Sequence, residues 1–465
     1  MSLAALKIGP NGSFEDFRNM AHNKLDECLD KIKPLFFKDE VPTLQEISDV
    51  VQEMKQDISG HLVQEAANSL NQAKLVHAFC HCPSCKKPVK KMRDTSRRIE
   101  TRHGSSLITK PYFYCSSCRL GFSPVDEDLK LSNRKKQHDL QQLALKFLAR
   151  MPFEEAAELF YESTGVAFSD HCMHELFASF AEDIGPEEVI PRAGEIAYRV
   201  EQASTPGKRR PVLVVATDGA HMPTRPGPGR DTKRGPGEYK EAKGFRIYLN
   251  SNDRIIHLAS WHQIADKDEI TKALNTAASR IPVDKVRIAL IGDGASWLWD
   301  AMTHAFPSGR QILDYYHVSE YIHKVADLQY SSDPNKALHW VESTMARLCF
   351  NNGASRVIAG LKRMQPASEE AKEQIRKTIN YLENNKHRIH YRGDRIGGYP
   401  IGSGGVESAN KFICHVRLKR SGAWWLKSNG NKMLALRCAM VNKTFDQIFS
   451  GYVTKEKAKR SLTNG

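Results

Sequence analysis

The spacing of apolar residues near the start of the chain is that of α-helices. Apolar positions recur every three to four residues over residues 14 to 33 and 43 to 75, which predicts two helices in a helical module spanning residues 1–76. Thr43 and Glu46 have the spacing of a capping box at the start of the second helix. The apolar stripe of that helix is Leu44, Ile47, Val51, Met54, Ile58 and Leu62. Such a stripe is typical of an ordinary core, and a dimerisation seam is the alternative.

Helical spacing returns over residues 131–195. Two predicted helices, residues 153 to 161 and 169 to 180, are joined by a turn that contains Gly165, and their lengths match a helix-turn-helix motif. The second helix is not especially basic, because it contains acidic residues such as Asp170. A DNA-binding helix-turn-helix and an ordinary helical domain therefore both remain open.

The pattern changes to continuous apolar runs from about residue 195. An apolar run that ends in an aspartate is typical of a buried strand with a functional group at its C-terminal end. The predicted elements are strands over 211–220, 239–248 and 254–259, a helix over 267–280, a strand over 286–294, a helix over 297–306 and a strand over 311–317. This order of elements is that of a ribonuclease H-like fold. We therefore predict a ribonuclease H-like catalytic domain formed by residues 196–317 and 396–450.

A mainly helical stretch, residues 318–395, interrupts this predicted domain. Its clearest helical spacing lies over Lys336 to Asn351 and Ser368 to Asn385. We interpret the stretch as a helical insertion. Residues 451–465, which follow the catalytic domain, are interpreted as a basic tail.

Composition indicates a globular protein with a polyanionic partner. The chain has 465 residues, 40% of them hydrophobic, which is enough to bury the cores of several domains. Its formal net charge of +14 favours nucleic acid as a partner. No apolar run approaches the length of about 18 residues that a membrane span needs, and the first residues lack a signal-peptide pattern. We expect a cytoplasmic, nucleoid-associated protein.

Two pairs of cysteines form a CxxC…CxxC array within residues 77–130. Each pair can present two thiolates to one tetrahedral Zn²⁺, so the array predicts a zinc ribbon; incidental or reactive thiols are the alternative. The four predicted ligands are Cys82, Cys85, Cys115 and Cys118, and the nearby possible substitutes are His77, Cys80, His81 and His103. The predicted fold class is thus a multidomain α/β protein in which helical and zinc-ribbon modules precede the catalytic domain.

Cations are dense between the two cysteine pairs. They favour contacts with DNA phosphates, although a solvated charged surface is the alternative. The candidate DNA contacts here are Lys86, Lys87, Lys90, Lys91, Arg97 and Arg98.

Three acidic residues lie at the ends of predicted elements in the predicted catalytic domain. Asp218 ends the first predicted strand and Asp293 ends the fourth, and the two strands would be neighbours in a ribonuclease H-like sheet. Adjacent carboxylates repel each other unless a cation lies between them, so Mg²⁺ is the expected occupant. Glu407 follows a glycine-rich loop at the start of a predicted helix, where it could join this metal site or only cap the helix.

Four motifs together resemble those of the DDE transposases of ISKra-type bacterial insertion sequences, which are related to Mutator-like transposases. The motifs are Thr217-Asp218-Gly219, Gly292-Asp293-Gly294, Asp314-Tyr315-Tyr316-His317 and Gly402-Ser403-Gly404-Gly405-Val406-Glu407-Ser408, and the resemblance covers residues 80 to 445. It implies that Asp218, Asp293 and Glu407 hold two Mg²⁺ or Mn²⁺ ions. It further implies an enzyme that cleaves transposon ends and joins them to target DNA, acting on double-stranded DNA as a homodimer or higher oligomer.

The resemblance also assigns accessory positions. Asp314 and His317 occupy the place of a D-x-x-H element, where His317 could contact DNA or orient a group near the metals, or only bond Asp314. The remaining candidate DNA contacts are Arg230, Lys233, Arg234, Lys240, Lys243, Lys411, Arg417, Lys419 and Arg420. Two other functions stay open: a regulatory DNA-binding protein without catalysis, and a ribonuclease H-like nuclease that cuts without joining.

Overall fold

The computed structural model describes residues 14–227, 236–251 and 254–463, except for the side chains of residues 405–407 and 459–463. These residues form a mixed α/β protein of two compact units. The first unit comprises the residues up to Phe180 together with those from Phe449 onwards, and the second is Ala181–Ile448.

The first unit begins with the two predicted helices, which are confirmed as α1 (Phe14–Ile32) and α2 (Leu44–Val76). The predicted capping box is also present, since Thr43 and Glu46 exchange side-chain and backbone hydrogen bonds. The apolar stripe of α2 is only partly core. Met54 is buried, whereas Leu44 is 82% exposed.

A four-stranded antiparallel sheet follows, in the order β1-β2-β3-β4. Its strands are β1 (Phe79–His81), β2 (Pro88–Thr101), β3 (Gly104–Cys115) and β4 (Leu120–Phe122). Helix α2 packs against the β2–β3 hairpin at Gly60, where a Cβ atom would lie 2.8 Å from the carbonyl oxygen of His103. The hydroxyl of Ser106 donates to the Gly60 carbonyl at 3.0 Å, which ties helix and hairpin together.

The helical part of the first unit contains the two predicted helices, α5 (Phe153–Thr164) and α6 (Asp170–Phe180). They are preceded by α3 (Pro124–Asp128), which was not predicted, and by α4 (His138–Leu148). Helix α5 ends at Gly165, whose φ of 66° is the left-handed conformation that glycine adopts without strain. Phe160, Met173 and Phe177 are buried between these helices.

The second unit is built on a five-stranded sheet. Two helices, α7 (Pro186–Val189) and α8 (Ala193–Ala203), lead into strands β5 (Val212–Thr224), β6 (Glu238–Ser251), β7 (Arg254–Gln263), β8 (Arg287–Gly292) and β9 (Arg310–Leu313). The strand order is β7-β6-β5-β8-β9. Strands β5, β6 and β7 pair antiparallel, whereas β8 and β9 run parallel to β5. Every strand predicted in this part of the chain is therefore present.

The last predicted strand is shorter than expected. Strand β9 ends at Leu313, and residues 315 to 317 belong to a helix instead. The reason is Asp314, whose carboxylate accepts a hydrogen bond of 2.8 Å from the N–H of Tyr316 and so caps the helix N-terminus.

The remaining helices cover the sheet and form the insertion. They are α9 (Lys267–Ala278), α10 (Ser296–Ala305), α11 (Tyr315–Gln329), α12 (Pro334–Leu348), α13 (Gly353–Arg363), α14 (Glu369–Asn385), α15 (Tyr391–Ile396), α16 (Gly404–Asn410), α17 (Val416–Leu418) and α18 (Lys427–Asn442), with a π-helical turn over Lys411–His415. Helices α12 and α14 confirm the two helices predicted in the insertion.

The last described element is helix α19 (Phe445–Thr463), which includes residues 451–463 of the stretch interpreted from the sequence as a basic tail. Within the first unit, Phe449 and Tyr452 lie 6.1 and 5.5 Å from the ring of Phe180. Aromatic packing therefore gives this end of the chain a structural role. None of the described helices combines the length and the apolarity needed to cross a membrane.

One glycine of the central sheet makes room for a buried histidine. Gly244 on β6 pairs with Asp218 on one side and with His262 on the other. A Cβ atom at Gly244 would overlap the imidazole of His262, which is fully buried.

Gly244→Ala is therefore expected to force His262 out of position and to lower the free energy of unfolding by about 1–3 kcal/mol. Gly360→Ala is the matched control, because a Cβ atom at Gly360 in α13 meets nothing within 4 Å. That change should be neutral or slightly stabilising in a helix. Denaturant unfolding of both variants measures the difference. Equal stability of the two variants would contradict the packing described for His262.

Candidate functional site

The four predicted zinc ligands form a compact cluster in the first unit. The Sγ atoms of Cys82, Cys85, Cys115 and Cys118 all lie within 4.8 Å of one another. Cys82 and Cys115 are buried, and the other two are partly buried. Among the side chains that the structure describes, this is the one group of three or more potential ligands that meets so closely. A cluster of four thiols at this spacing could hold a tetrahedral Zn²⁺ ion.

The local backbone favours thiolates at this cluster. The turn after Cys82 closes with a hydrogen bond of 3.0 Å from the N–H of Lys86 to the Cys82 carbonyl, and Lys86 has a φ of 60°. Burial acts to raise the pKa of Cys82, but hydrogen bonds from the N–H groups of Cys85 and Ser84 outweigh it and lower the pKa to about 7. A thiol with a lowered pKa is readily deprotonated, as a zinc ligand must be.

Three aspartates lie in one row across neighbouring parallel strands of the second unit, Asp218 within β5 and the other two directly after β8 and β9. The prediction that Asp218 ends its strand is wrong, because β5 continues to Thr224 through its pairing with β6. Ala216 on β5 is paired with Ile291 on β8, and continuing this register places Asp218 opposite Asp293. Gly292 is paired with Leu313 on β9, which places Asp293 opposite Asp314 in the same way. Neighbouring strands are about 4.8 Å apart, so each aspartate is adjacent to the next.

The carboxylate of Asp218 is held by a buried amide. One carboxylate oxygen of Asp218 accepts a hydrogen bond of 2.7 Å from the N–H of Gly219, and the other accepts one of 2.6 Å from Nδ2 of Asn410. The Oδ1 atom of Asn410 lies 2.7 Å from Nε2 of His262. Burial lowers the pKa of His262 to about 4, against the opposing effect of this bond, so the imidazole is neutral. Its Nε2–H therefore donates to Asn410 and fixes which end of the amide faces Asp218.

Asp293 is positioned by the turn that follows β8. Its Oδ1 atom accepts a hydrogen bond of 2.9 Å from the N–H of Ala295, and its backbone carbonyl accepts one of 2.7 Å from the hydroxyl of Tyr381. Gly294 in this turn has a φ of 105°, a conformation that residues with side chains rarely adopt. The ring of Tyr381 stacks on Tyr321 at 4.0 Å, so the insertion helices α11 and α14 support this turn.

Glu407 lies on helix α16, and its side chain is outside the described residues. Asn410 follows it by three residues on the same helix, so their positions are one turn apart. The helix is tied to the aspartate row at both ends. Asn410 at its last residue bonds Asp218, and Ser403, just before its first residue, bonds Asp314 through both its backbone N–H, at 3.1 Å, and its hydroxyl.

Asp314 is buried and holds several neighbouring residues through its carboxylate. The side chain is 1% exposed and accepts from Tyr316 and Ser403. Nδ1 of His317 lies 3.6 Å from Oδ2 of Asp314, the separation of an ion pair rather than of a hydrogen bond. Burial acts to raise the pKa of Asp314, but its hydrogen bonds and the nearby His317 outweigh it and lower the pKa.

His317 carries a positive charge that several carboxylates stabilise. The carboxylate of Asp314 raises the pKa of His317 to about 9 against the effect of burial, and Asp293 and Asp218 add smaller contributions. The aspartate row is therefore a region of concentrated negative charge.

The predicted DNA contacts differ in their availability. Arg230, Lys233 and Arg234 lie outside the described residues. Three others already have partners within the protein. Arg417 is 3% exposed, and its guanidinium lies 5.0 Å from the ring of Trp425. Arg97 donates to the carbonyls of Asn133 and Arg134 at 2.9 and 2.8 Å. Lys91 also bonds a carbonyl, that of Leu75, at 2.5 Å. The exposed candidates are Lys86, Lys87, Lys90, Arg98, Lys411, Lys419 and Arg420.

Lys240 and Lys243 on β6 are partly buried and have acidic partners. Lys240 lies 2.8 Å from Glu238, and Lys243 lies 3.0 Å from Glu241 with its ammonium 5.6 Å from the ring of Trp297. The two lysines are thus held along β6, where Lys243 directly precedes Gly244, the residue that pairs with Asp218.

Sequence reasoning did not identify Asn410, His262 or Ser403. Asn410 and Ser403 could have been suspected, because polar residues flank Glu407 in the glycine-rich motif. His262 gives no such signal. It lies 148 residues before Asn410 in the chain and meets it only because β7 and α16 lie together in the folded unit.

No protein-family description and no curated protein matches this chain. Among solved structures, the chain is similar to one described as "Drosophila P element transposase strand transfer complex", with 12% sequence identity over 68% of this chain and 80% of that chain. The TM-score is 0.26, which is too low to carry an argument about this protein.

We expect the purified protein to contain one zinc ion and Cys82→Ser to lose it, since three thiols leave the tetrahedral site incomplete. Cys80→Ser is the matched control, because Cys80 is a neighbouring, partly exposed thiol outside the four-cysteine cluster. Metal analysis by mass spectrometry measures the stoichiometry. Unchanged zinc in the Cys82 variant, or equal loss in both variants, would contradict the assignment of the cluster.

The ion pair of His317 predicts a pH-dependent contribution to stability. Because folding raises the pKa of His317, the contribution is fully present below about pH 6.5 and is lost as the pH rises through about 9. In metal-free protein, His317→Gln should lower the melting temperature more at about pH 6 than at about pH 10. Asp314→Asn should remove most of this difference. An equal effect of His317→Gln at both pH values would show that the pair does not stabilise the fold.

Proposed function

We propose that this chain is a metal-dependent DNA transposase whose second unit is a ribonuclease H-like catalytic domain. The observation that carries the proposal is the register of β5 and β8, which makes Asp218 and Asp293 neighbours at one end of the sheet. The strand order and directions are those expected for a ribonuclease H-like sheet. Asn410 supports Glu407 as the third acid, because its bond to Asp218 brings helix α16 to the aspartate row.

The side chains at this site suit divalent cations. Carboxylate oxygens are the ligands that Mg²⁺ prefers, and the raised pKa of His317 reflects the excess of negative charge around Asp314, Asp293 and Asp218. Asp218, Asp293 and Glu407 would hold the metal. Two bound ions would supply activation of the attacking oxygen and stabilisation of the leaving oxygen in phosphodiester cleavage.

The protein residues have distinct tasks in this proposal. Asn410, held by His262, restricts rotation of the Asp218 carboxylate and so keeps it in one orientation within the aspartate row. Asp314 and Ser403 fix the start of helix α16 and therefore the position of Glu407 along the row. His317 gives a positive charge beside the acids, where it can orient a phosphate.

DNA binding is proposed for both units. The four-cysteine ribbon with its exposed lysines and the predicted helix-turn-helix, α5 and α6, would bind the ends of the transposon. The finer assignment to ISKra-type elements, and the expectation of a homodimer or higher oligomer, rest on the sequence motifs. Joining cleaved ends to target DNA distinguishes this function from that of a nuclease.

We expect Asp293→Asn and Glu407→Gln to lower the rate of DNA cleavage by at least about a hundredfold, because each removes a charge where the reaction needs electrostatic stabilisation. Asp300→Asn is the matched control, since Asp300 is an exposed aspartate on α10 that follows the same strand. The assay uses labelled duplex DNA from both ends of the element that encodes the chain, with Mg²⁺, and separates nicked from joined products.

The same assay distinguishes the alternatives. Wild-type protein that binds the ends without nicking them would indicate a regulatory DNA-binding protein. Nicking without joined products would indicate a nuclease. An active Glu407→Gln variant with intact DNA binding would refute the proposed set of three acids.

A further inference from the structure

The second unit has a strongly cationic cavity that the proposed active site does not use. It measures about 420 Å³ and is lined by Lys208, Arg209, Arg210 and Arg287, with Asn250 and Gly398 at its side. The first three cations are exposed. Arg287 is anchored by bonds to the carbonyls of Arg210, at 2.9 Å, and of Gly397, at 2.6 Å. No described residue that lines this cavity has a carboxylate, so the cavity suits an anion.

A second cavity, of about 460 Å³, is lined by aromatic rings. Tyr248, Tyr315, Tyr316 and Tyr399 contribute their rings, and Arg395 lies at its side with its guanidinium 5.9 Å from the ring of Tyr315. Tyr248 is buried, whereas Tyr316 is 55% exposed. A cavity with several aromatic walls suits a planar ring that enters from solvent.

The two cavities form one groove. Asn250 lines both of them. Gly398 in the first cavity and Tyr399 in the second are consecutive residues, and the guanidinium of Arg287 lies 5.2 Å from the Tyr399 ring. The anion-binding and ring-binding parts are therefore next to each other, joined along the segment of residues 398–404.

The groove leads from the far end of the sheet towards the acids. Its cationic part lies beside Val212 and Arg287, which are paired at the start of β5 and β8. Asp218 follows Val212 by six positions along β5, which corresponds to a distance of about 20 Å. The tyrosine part includes Gly402 and Gly404, which flank the Ser403 that bonds Asp314. A ligand in the groove would thus approach the aspartate row from this side.

We propose that this groove binds a single strand of DNA, with backbone phosphates at Lys208, Arg209 and Arg210 and an unpaired base in the tyrosine cavity. The proposal rests on the proposed function, since DNA strands are separated or displaced near a cleavage site. Phosphates recognise cations without regard to sequence, and every base has a flat face that can stack on tyrosine. A free nucleotide offers the same two groups, so the test must separate the two sources.

The test is the binding of a labelled oligothymidylate to the full-length, zinc-loaded protein without added Mg²⁺, measured by fluorescence anisotropy at several salt concentrations. Tyr316→Ala should weaken binding by at least about fivefold, whereas Tyr316→Phe should retain the affinity because it keeps the stacking ring. Arg209→Ala should lower the slope of log affinity against log salt by about 0.7, the value for one phosphate contact of a single strand.

Lys272→Ala is the control, since Lys272 is an exposed lysine that lines neither cavity. A second readout is the photocrosslink of a 5-iodouracil base placed within the oligonucleotide, which should map to a tyrosine of the groove. Unchanged affinity and salt dependence in the Tyr316 and Arg209 variants, or crosslinks confined to the cysteine ribbon, would overturn the proposal. Tighter binding of a free nucleoside triphosphate than of the oligonucleotide would also overturn it.

This experiment is independent of catalysis. Asp293→Asn should bind the oligonucleotide as the wild type does, because Asp293 lines neither cavity. Groove-dependent binding by a protein that never cleaves DNA would support the site while refuting the proposed function. Cleavage without groove-dependent binding would do the reverse.

Discussion

The parallel pairing of β5 with β8 is the constraint on which the second unit depends. Because β9 runs in the same direction, the register of the three strands brings Asp218, Asp293 and Asp314 into one row. A shift of the register by one residue would turn one carboxylate to the other face of the sheet. The apolar residues of β5 and β8 are buried on both faces, as expected for strands covered by helices, so such a shift would require the core on both faces to repack.

Helix α16 depends on this row at both of its ends. Ser403 bonds Asp314 before the helix begins, and Asn410 bonds Asp218 where it ends. Gly402, just before Ser403, leaves room for that approach, since a Cβ atom there would lie 2.6 Å from the ring of Tyr316. The position of Glu407 relative to the aspartate row is thus determined by contacts on either side of it in the chain. One of these contacts reaches the buried His262 through Asn410.

The first unit is organised by a different kind of contact. Its cysteine cluster adjoins a small core of Val89, Phe113 and Leu120, which contains few large side chains. A bound Zn²⁺ ion would therefore contribute much of the stability of this ribbon, as metals do in small domains. Away from the cluster, the long hairpin of β2 and β3 is supported by helix α2 through Gly60 and Ser106.

The sequence by itself determined the type and order of most elements, because apolar periodicity and turn residues act over a few neighbouring positions. It also predicted the clustering of the four cysteines, because the spacing within each pair is local. It predicted Asp293 directly after its strand, but it placed the end of the first strand too early, because β5 continues past Asp218 to Thr224. It did not determine that β9 stops at Leu313, since the capping bond of Asp314 competes with strand pairing. Only the tertiary structure decided that Arg417 is buried against Trp425, that Asn410 joins Asp218 to His262, and that a cationic cavity adjoins a tyrosine cavity. Each of these contacts joins residues that local patterns do not relate, because they meet only when separate elements pack together.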